Sequence, residues 1–408
     1  MDANTAPTPS LETGVASENA GATWPAIILI VAFGAAATAV VPQAVPVIKL
    51  IAARFPEGGG NVGWLISMPS AICALGALLA GLLVDRIGDR RMLLVGAGFV
   101  IAGDVGVYLA QTFTALLGWR LVEGIGYLGL TVGGATMLMR TTEGARRKAA
   151  LALWSAHTPI GFALAIALVT PLATGGAEAW RTAFAGHGAI VIALVLAGAL
   201  MLHAAARTGY RRGAGTSIVL RTPAAYRLGL ASLCSAMLQT GFLTALPTGL
   251  ERRFAMSAGG AASVAIVDLV LNAAAALGLA AMLRRGLPMK AAAVGGVLLL
   301  AAAWATYFRA SDPVLAVGGS AVFCFALGAV NALVWGLLPN VTPTPAAAGA
   351  TGGLVTQATY VGVLLGPPLV FGGLHGFPLM LAIVAGPALA AVLLVALPLR
   401  HGGQVPAH

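Results

Sequence analysis

Gly81-Leu-Leu-Val-Asp-Arg-Ile-Gly-Asp-Arg-Arg91 places two acids and three arginines within its last seven residues. Apolar sequence closes in on both sides, as Gly63–Val84 before it and Met92–Ala110 after it. Each run approaches the roughly 20 apolar residues that a helix needs to cross a bilayer. A charged knot between two such runs reads as a tight loop at a membrane surface. The fold then depends on how often the pattern recurs.

It recurs along the whole chain. Only 9% of the 408 residues are charged, 13 acids against 23 Lys and Arg, while 59% are hydrophobic. A soluble fold of this length has too much surface to hide that much apolar side chain. Twelve runs are long enough to span. They are Trp24–Pro46, Gly63–Val84, Met92–Ala110, Phe113–Met139, Ala149–Leu172, Thr182–His203, Ala224–Gly249, Gly259–Leu283, Ala291–Phe308, Pro313–Leu338, Ala348–Phe371 and Phe377–Leu399. Strands of a membrane barrel would show short alternating segments instead. The reading is an all-α integral membrane protein with twelve transmembrane helices in two six-helix halves. Cys73, Cys234 and Cys324 all fall inside spans and are odd in number, so no disulfide framework is expected. Residues 1–23 are polar, hold no Lys or Arg, and read as a disordered tail rather than a cleaved signal.

The net charge of +10 is distributed by side of the membrane. With both termini in the cytoplasm, sixteen basic residues lie on inside segments, from Arg86 to Arg400. Six lie outside: Lys49, Arg54, Arg181, Arg252, Arg253 and Arg309. Arg120 is left within a span. That asymmetry is the positive-inside rule, and it predicts a multi-pass protein of the cell (inner) membrane with cytoplasmic termini. It accounts for the basic balance without nucleic acid as a partner.

The connection Ala204–Pro223, with Arg207, Arg211, Arg212 and Arg221, is the longest basic one. It divides the chain into an N-terminal six-helix bundle, 24–203, a cytoplasmic linker, 204–223, and a C-terminal bundle, 224–399, followed by a tail, 400–408. Six plus six spans is a common transporter plan, with the site near midplane between repeats. Gly278 to Lys290, after span eight, lays Arg284 and Gly286 on Arg86 and Gly88 of the loop after span two. Pro159 and Gly161 of span five match the Gly and Pro cluster of span eleven, Gly362 to Gly373.

Gly81, Asp85, Arg86, Gly88, Arg90 and Arg91 together resemble the loop signature between helices two and three of the major facilitator superfamily. Arg120-Leu-Val-Glu-Gly124-Ile-Gly126 in span four resembles that family's second motif, and the likeness extends over Trp24 to Leu399. Leu153-Trp154-Ser155-Ala156 looks like the cyanate-porter-like branch. The resemblance implies alternating access around a central cavity, with span four beside it and spans three and six peripheral. It also implies that Asp85 and its basic neighbours latch the inner gate in one state and release it in the other.

Charges at lipid depth are costly and invite functional readings. Arg120 and Glu123 are three apart and share a helix face. Arg120 lies about 10 Å into its span at 1.5 Å per residue. The expectation is a proton-responsive pair lining the cavity, in which Arg120 holds either Glu123 or a substrate carboxylate. Asp104, at similar depth in span three, is placed to pair with Arg120. Asp268, in span eight, has no basic partner at its depth and suits a proton carrier. His157, just before Pro159, either binds substrate, titrates, or satisfies loosened backbone. His187 lies in span six. Gln43, Gln239, Asn331, Trp335, Gln357 and Tyr360 complete the expected cavity lining. Each of these side chains also has an ordinary packing reading.

Gly124-Ile-Gly126-Tyr-Leu-Gly129 matches a dinucleotide fingerprint, but it lies within an apolar span, where small-residue helix packing explains it. No spacing suggests a metal site, and Ser155 and His157 point to different faces, so neither an enzyme nor a cofactor is expected. The functional expectation is a monomeric secondary transporter for a small solute, with the proton as second partner, acting as symporter or antiporter. The solute is a small organic or inorganic anion taken up. The alternatives are proton-coupled export of apolar compounds and a membrane sensor that moves nothing.

Overall fold

The structure is a computed structural model that describes residues 22–142, 146, 150, 153–154, 157–202, 219, 221–284, 287–343, 348–371, 386 and 389. Most of span twelve and of the linker lies outside the described residues, as do the side chains of Asp85 and Trp335, and of Gly81 only the backbone is described. Eleven of the predicted spans appear as helices: α1 (Trp24–Ala39), α3 (Val62–Ile87), α4 (Asp89–Leu109), α5 (Phe113–Thr141), α6 (His157–Val169), α7 (Ala179–Met201), α8 (Pro223–Phe254), α9 (Ala258–Arg284), α10 (Met289–Arg309), α11 (Pro313–Gly336) and α13 (Ala348–Phe371). The short helices α2 (Ile48–Arg54) and α12 (Leu338–Val341) lie between them. Ten of the described helical segments are long and apolar enough to cross a membrane.

Span one stops short of its predicted limit. Thr23 caps α1, accepting from the Ala26 amide. The helix stops at Ala39, a 3₁₀ turn follows at Pro42–Ala44, and the chain restarts as α2. Pro42 and Pro46 lack the N–H that would continue an α-helical ladder. The α3–α4 turn is a single residue, Gly88, at φ 88°, which an L side chain rarely adopts. This lets the chain reverse within the charged knot.

Glycine carries the closest packing. A Cβ on Gly126 would lie 2.5 Å from Gly96 O of α4, and one on Gly124 would lie 2.4 Å from Pro69 O of α3. The dinucleotide-like run is therefore a helix–helix seam with two faces. Gly161 seats α6 on Ala35 O of α1, and Gly362 seats α13 on Leu233 O of α8. These two seams join spans five and one, and spans eleven and seven, so the packing repeats six spans on. The pairs α4–α5 and α10–α11 repeat in the same way, as do α3–α5 and α9–α11. Contacts between the halves run mainly through α3–α13 and α6–α9. Leu75, Leu164, Leu200 and Val314 point outward, exposed to what must be lipid.

Candidate functional site

The N-terminal half encloses a charged network between α1, α3, α4, α5 and α7. Its origin is unpaired backbone. Pro69 has no N–H to give Leu65 O, four residues back, and the Arg120 Nε donates to that carbonyl at 2.8 Å. The end of α1 leaves carbonyls without helical partners. Arg120 Nη2 donates to Val40 O at 2.5 Å, and His187 Nε2 meets Ala36 O at 2.9 Å. Arg120 Nη1 pairs with Glu123 Oε2. His187 Nδ1 lies 2.8 Å from Asp104 Oδ2, and Gln43 Nε2 donates to Asp104 Oδ1 at 3.4 Å. Arg120, Glu123, Asp104 and Gln43 are each at most 1% exposed.

Two expectations change here. Asp104 takes His187 as its ion-pair partner, because α4 packs on α7 and Arg120 is already engaged by Glu123 and two carbonyls. Arg120 and Glu123 lie inside the N-terminal half, not on an open wall, since the broken end of α1 and the Pro69 kink need the guanidinium as a donor. Gln43 likewise serves this network and does not line a cavity. Sequence reasoning underweighted His187. Its signal was an acid at similar depth in another span, but the contact of spans three and six is not written in either span.

An aromatic cap covers the network on the face that the basic residues assign to the outside. Phe55, Trp180 and Phe184 are at most 1% exposed. Phe55 meets Trp180 edge-on at 5.8 Å, and Trp180 meets Phe184 at 6.3 Å. The Arg120 guanidinium lies 5.6 Å from the Phe184 ring centre. Next to this cap, Lys49 of α2 forms an ion pair with Glu251 of α8, joining the two halves. Glu178 accepts from Arg54 at 3.2 Å and Arg181 at 2.5 Å. The bond from Arg181 holds the Glu178 carboxyl below the usual carboxylate range.

One aromatic pair crosses between the halves, and an amide pair lies within the C-terminal half. Tyr127 of α5 and Tyr360 of α13 meet edge-on, with centroids 5.5 Å apart. On α8 and α11, Asn331 donates to Gln239 Oε1 at 2.6 Å and accepts from the Ser235 hydroxyl. Gln357 is half-buried on α13, three residues before Tyr360. The half-buried His157 ring stacks on Trp154 at 4.3 Å, and its Nδ1 meets Trp154 O. This imidazole is thus engaged with backbone one turn back.

Asp268 of α9 is 1% exposed, and neither carboxyl oxygen has a hydrogen-bond partner. Ser320 and Cys324 of α11 lie beside it. Asn272 bonds Cys324 O at 2.9 Å and does not reach the carboxyl. In the charged loop, Asp89, which the sequence reading did not single out, is buried. Its Oδ1 accepts from the Arg90 amide at 2.7 Å. Arg90 reaches Ala199 O at the end of α7, at 3.1 Å, while Arg86 and Arg91 lie exposed. Among the described residues, no cluster of His, Cys, Asp and Glu has the makings of a metal site.

Comparison with known proteins agrees with this architecture. The chain is 32% identical over 146 residues to the 3-(3-hydroxy-phenyl)propionate transporter of Escherichia coli (strain K12), a match covering 36% of this chain and 35% of that one. It is 29% identical over 126 residues to a probable 4-methylmuconolactone transporter of Cupriavidus pinatubonensis (strain JMP 134 / LMG 1197), covering 30% of this chain and 29% of that one. The matched stretches thus span about a third of each relative's length. In three dimensions it resembles the inward-facing, occupied crystal structure of a bacterial homologue of the human lysosomal transporter Spinster. The TM-score is 0.70, at 18% identity over 90% of both chains. The model of the Major Facilitator Superfamily matches residues 19–367, and the chain belongs to that family of multi-pass membrane transporters.

Proposed function

We propose that this protein carries a small aromatic carboxylate across the cell membrane by alternating access, driven by the proton gradient. The carrying observation is the surface where the halves meet. There Tyr127 meets Tyr360 across the halves, and we set the neutral groups Gln239, Asn331 and Ser235 of the C-terminal half and His157 of the N-terminal half around the same solute path. Such a lining suits a flat organic acid, with rings for the aromatic face and hydroxyl and amide donors for the carboxylate. The names of two relatives, transporters for an aromatic acid and a muconolactone, support this solute class. Arg120 acts from behind this surface, fixing α1, α3 and α5, and does not itself touch the solute. The Asp89–Arg90 turn, with Asp85 and Arg86, latches the opposite face. The protein works as a monomer with both termini in the cytoplasm.

The test is uptake of labelled 3-(3-hydroxyphenyl)propionate by proteoliposomes holding the purified chain, with the outside acidified. The expected result is accumulation above equilibrium that a protonophore abolishes. Flux indifferent to the gradient would overturn proton drive. Gradient-driven movement only in the export direction would favour the exporter, and no flux of any carboxylate would favour the sensor.

A further inference from the structure

The His187–Asp104 contact has a hydrogen count that its geometry fixes. Ala36 O is a carbonyl and can only accept, so His187 Nε2 must carry a hydrogen. Asp104 Oδ2 faces Nδ1 at 2.8 Å, while Oδ1 receives the Gln43 amide. The close Nδ1···Oδ2 contact needs one hydrogen between the two atoms, and with that hydrogen on the ring the carboxylate is ionised and accepts at both oxygens. The ring is then an imidazolium. With both carboxyls ionised, the four buried groups Arg120, Glu123, His187 and Asp104 sum to zero, which is how a bundle interior at lipid depth tolerates them, and the Glu123 carboxyl also lies in contact with that of Asp104. Loss of one proton leaves an acceptor without a donor and one net negative charge inside the half.

The groups that face this ring come from each element packed on α7. Asp104 stands on α4, Ala36 O on α1, and Gln43 on the 3₁₀ turn. Arg120 and Glu123 stand on α5, next to Asp104. On α2, Lys49 and Arg54 are turned to outer-surface partners, as is Arg181 on α7 itself.

The route to this ring is also built. Phe55, Trp180 and Phe184 cover the network, and Phe55 directly follows α2. The other end of α2 carries Lys49, which clasps Glu251 of the opposite half. Because Phe55 directly follows α2, parting of the halves on this face would pull α2 and Phe55 together. We propose that the His187–Asp104 pair is a proton-binding site, loaded through the Phe55–Trp180 cap when the Lys49–Glu251 clasp opens. Its use in coupling rests on the transport reading above; the site itself does not.

The test needs no solute. Ring ¹⁵N spectra of histidine-labelled protein in nanodiscs, with His187 assigned by its loss in His187→Gln, report the charge of that ring. The expected result is an imidazolium at pH 7.5, where solvent-exposed histidines are neutral. Asp104→Asn should convert it to the neutral form, and Asp104→Glu should restore the charge, a pattern that mere packing would not produce. Phe55→Ala should speed deuterium exchange of the ring N–H at least tenfold, with the milder Phe55→Leu as the variant in case the first does not fold. A neutral His187 in the wild type, or a charge unchanged in Asp104→Asn, overturns the site. Unchanged exchange in both Phe55 variants overturns the route. An imidazolium in a protein that moves no solute would leave the site standing and remove the transport reading.

Discussion

The two halves repeat the same helix seams yet hold their polar groups in different ways. In the N-terminal half, Arg120, Glu123, Asp104 and His187 form one connected set, tied to carbonyls that Pro69 and the end of α1 leave open. In the C-terminal half, Asp268 has no charged partner and only Ser320 and Cys324 beside it, and Gln239 and Asn331 form a neutral amide pair. One half fixes charge within its own packing. The other pairs neutral amides within its own packing.

The comparison breaks most directly at Arg120. Arg120→Ala strands Glu123 and frees two carbonyls, so it should destabilise the protein by about 3–5 kcal/mol, as loss of one partner of a buried pair does. Unfolding in mixed micelles against the wild type measures this, and a change near zero would mean the network is not structural. Asn331→Ala removes partners from Gln239 and Ser235, and should cost about 1–3 kcal/mol. It should also raise the apparent KM for the carboxylate in flux assays more than it lowers the maximal rate. Asp268→Asn should stay within about 1 kcal/mol of the wild type, because it breaks no ion pair and keeps an acceptor beside Ser320 and Cys324. A large loss there would show that the C-terminal half also depends on a buried charge. Glu178→Gln should lower stability slightly at neutral pH and leave it unchanged in acid. The Glu178 carboxyl is depressed in the folded state, so its contribution is full above the unfolded value of about 4.3 and fades as pH falls below it. Thermal melts from pH 7 to pH 3 should therefore converge for the two proteins at the acid end.

The contrast also explains what the sequence disclosed. Helix limits followed apolar run length, so Ala348–Phe371 emerged residue for residue and α3 to α5 within a few residues. Span one did not, because Pro42 and Pro46 break it in a way that hydropathy does not register. The Arg120–Glu123 pair was legible because both residues sit on one helix at i and i+3. The His187–Asp104 pair was not, because it joins positions 83 apart through the packing of α7 on α4. The burial of Arg120 was hidden for a related reason. A charge in a span can face a cavity or cap broken backbone, and only the position of Leu65 O and Val40 O decides between them. In the charged loop, Asp85 and Asp89 look equivalent in sequence, but Gly88 starts α4 so that Asp89 is turned inward.

Alternating access requires the Lys49–Glu251 clasp to open once in every cycle. Lys49→Cys combined with Glu251→Cys, in a background with Cys73, Cys234 and Cys324 replaced, allows the halves to be tied on that face. Oxidation in proteoliposomes should abolish carboxylate flux, and reduction should restore it. Full flux through the verified cross-linked protein would contradict the account, because the halves would then carry solute without parting there.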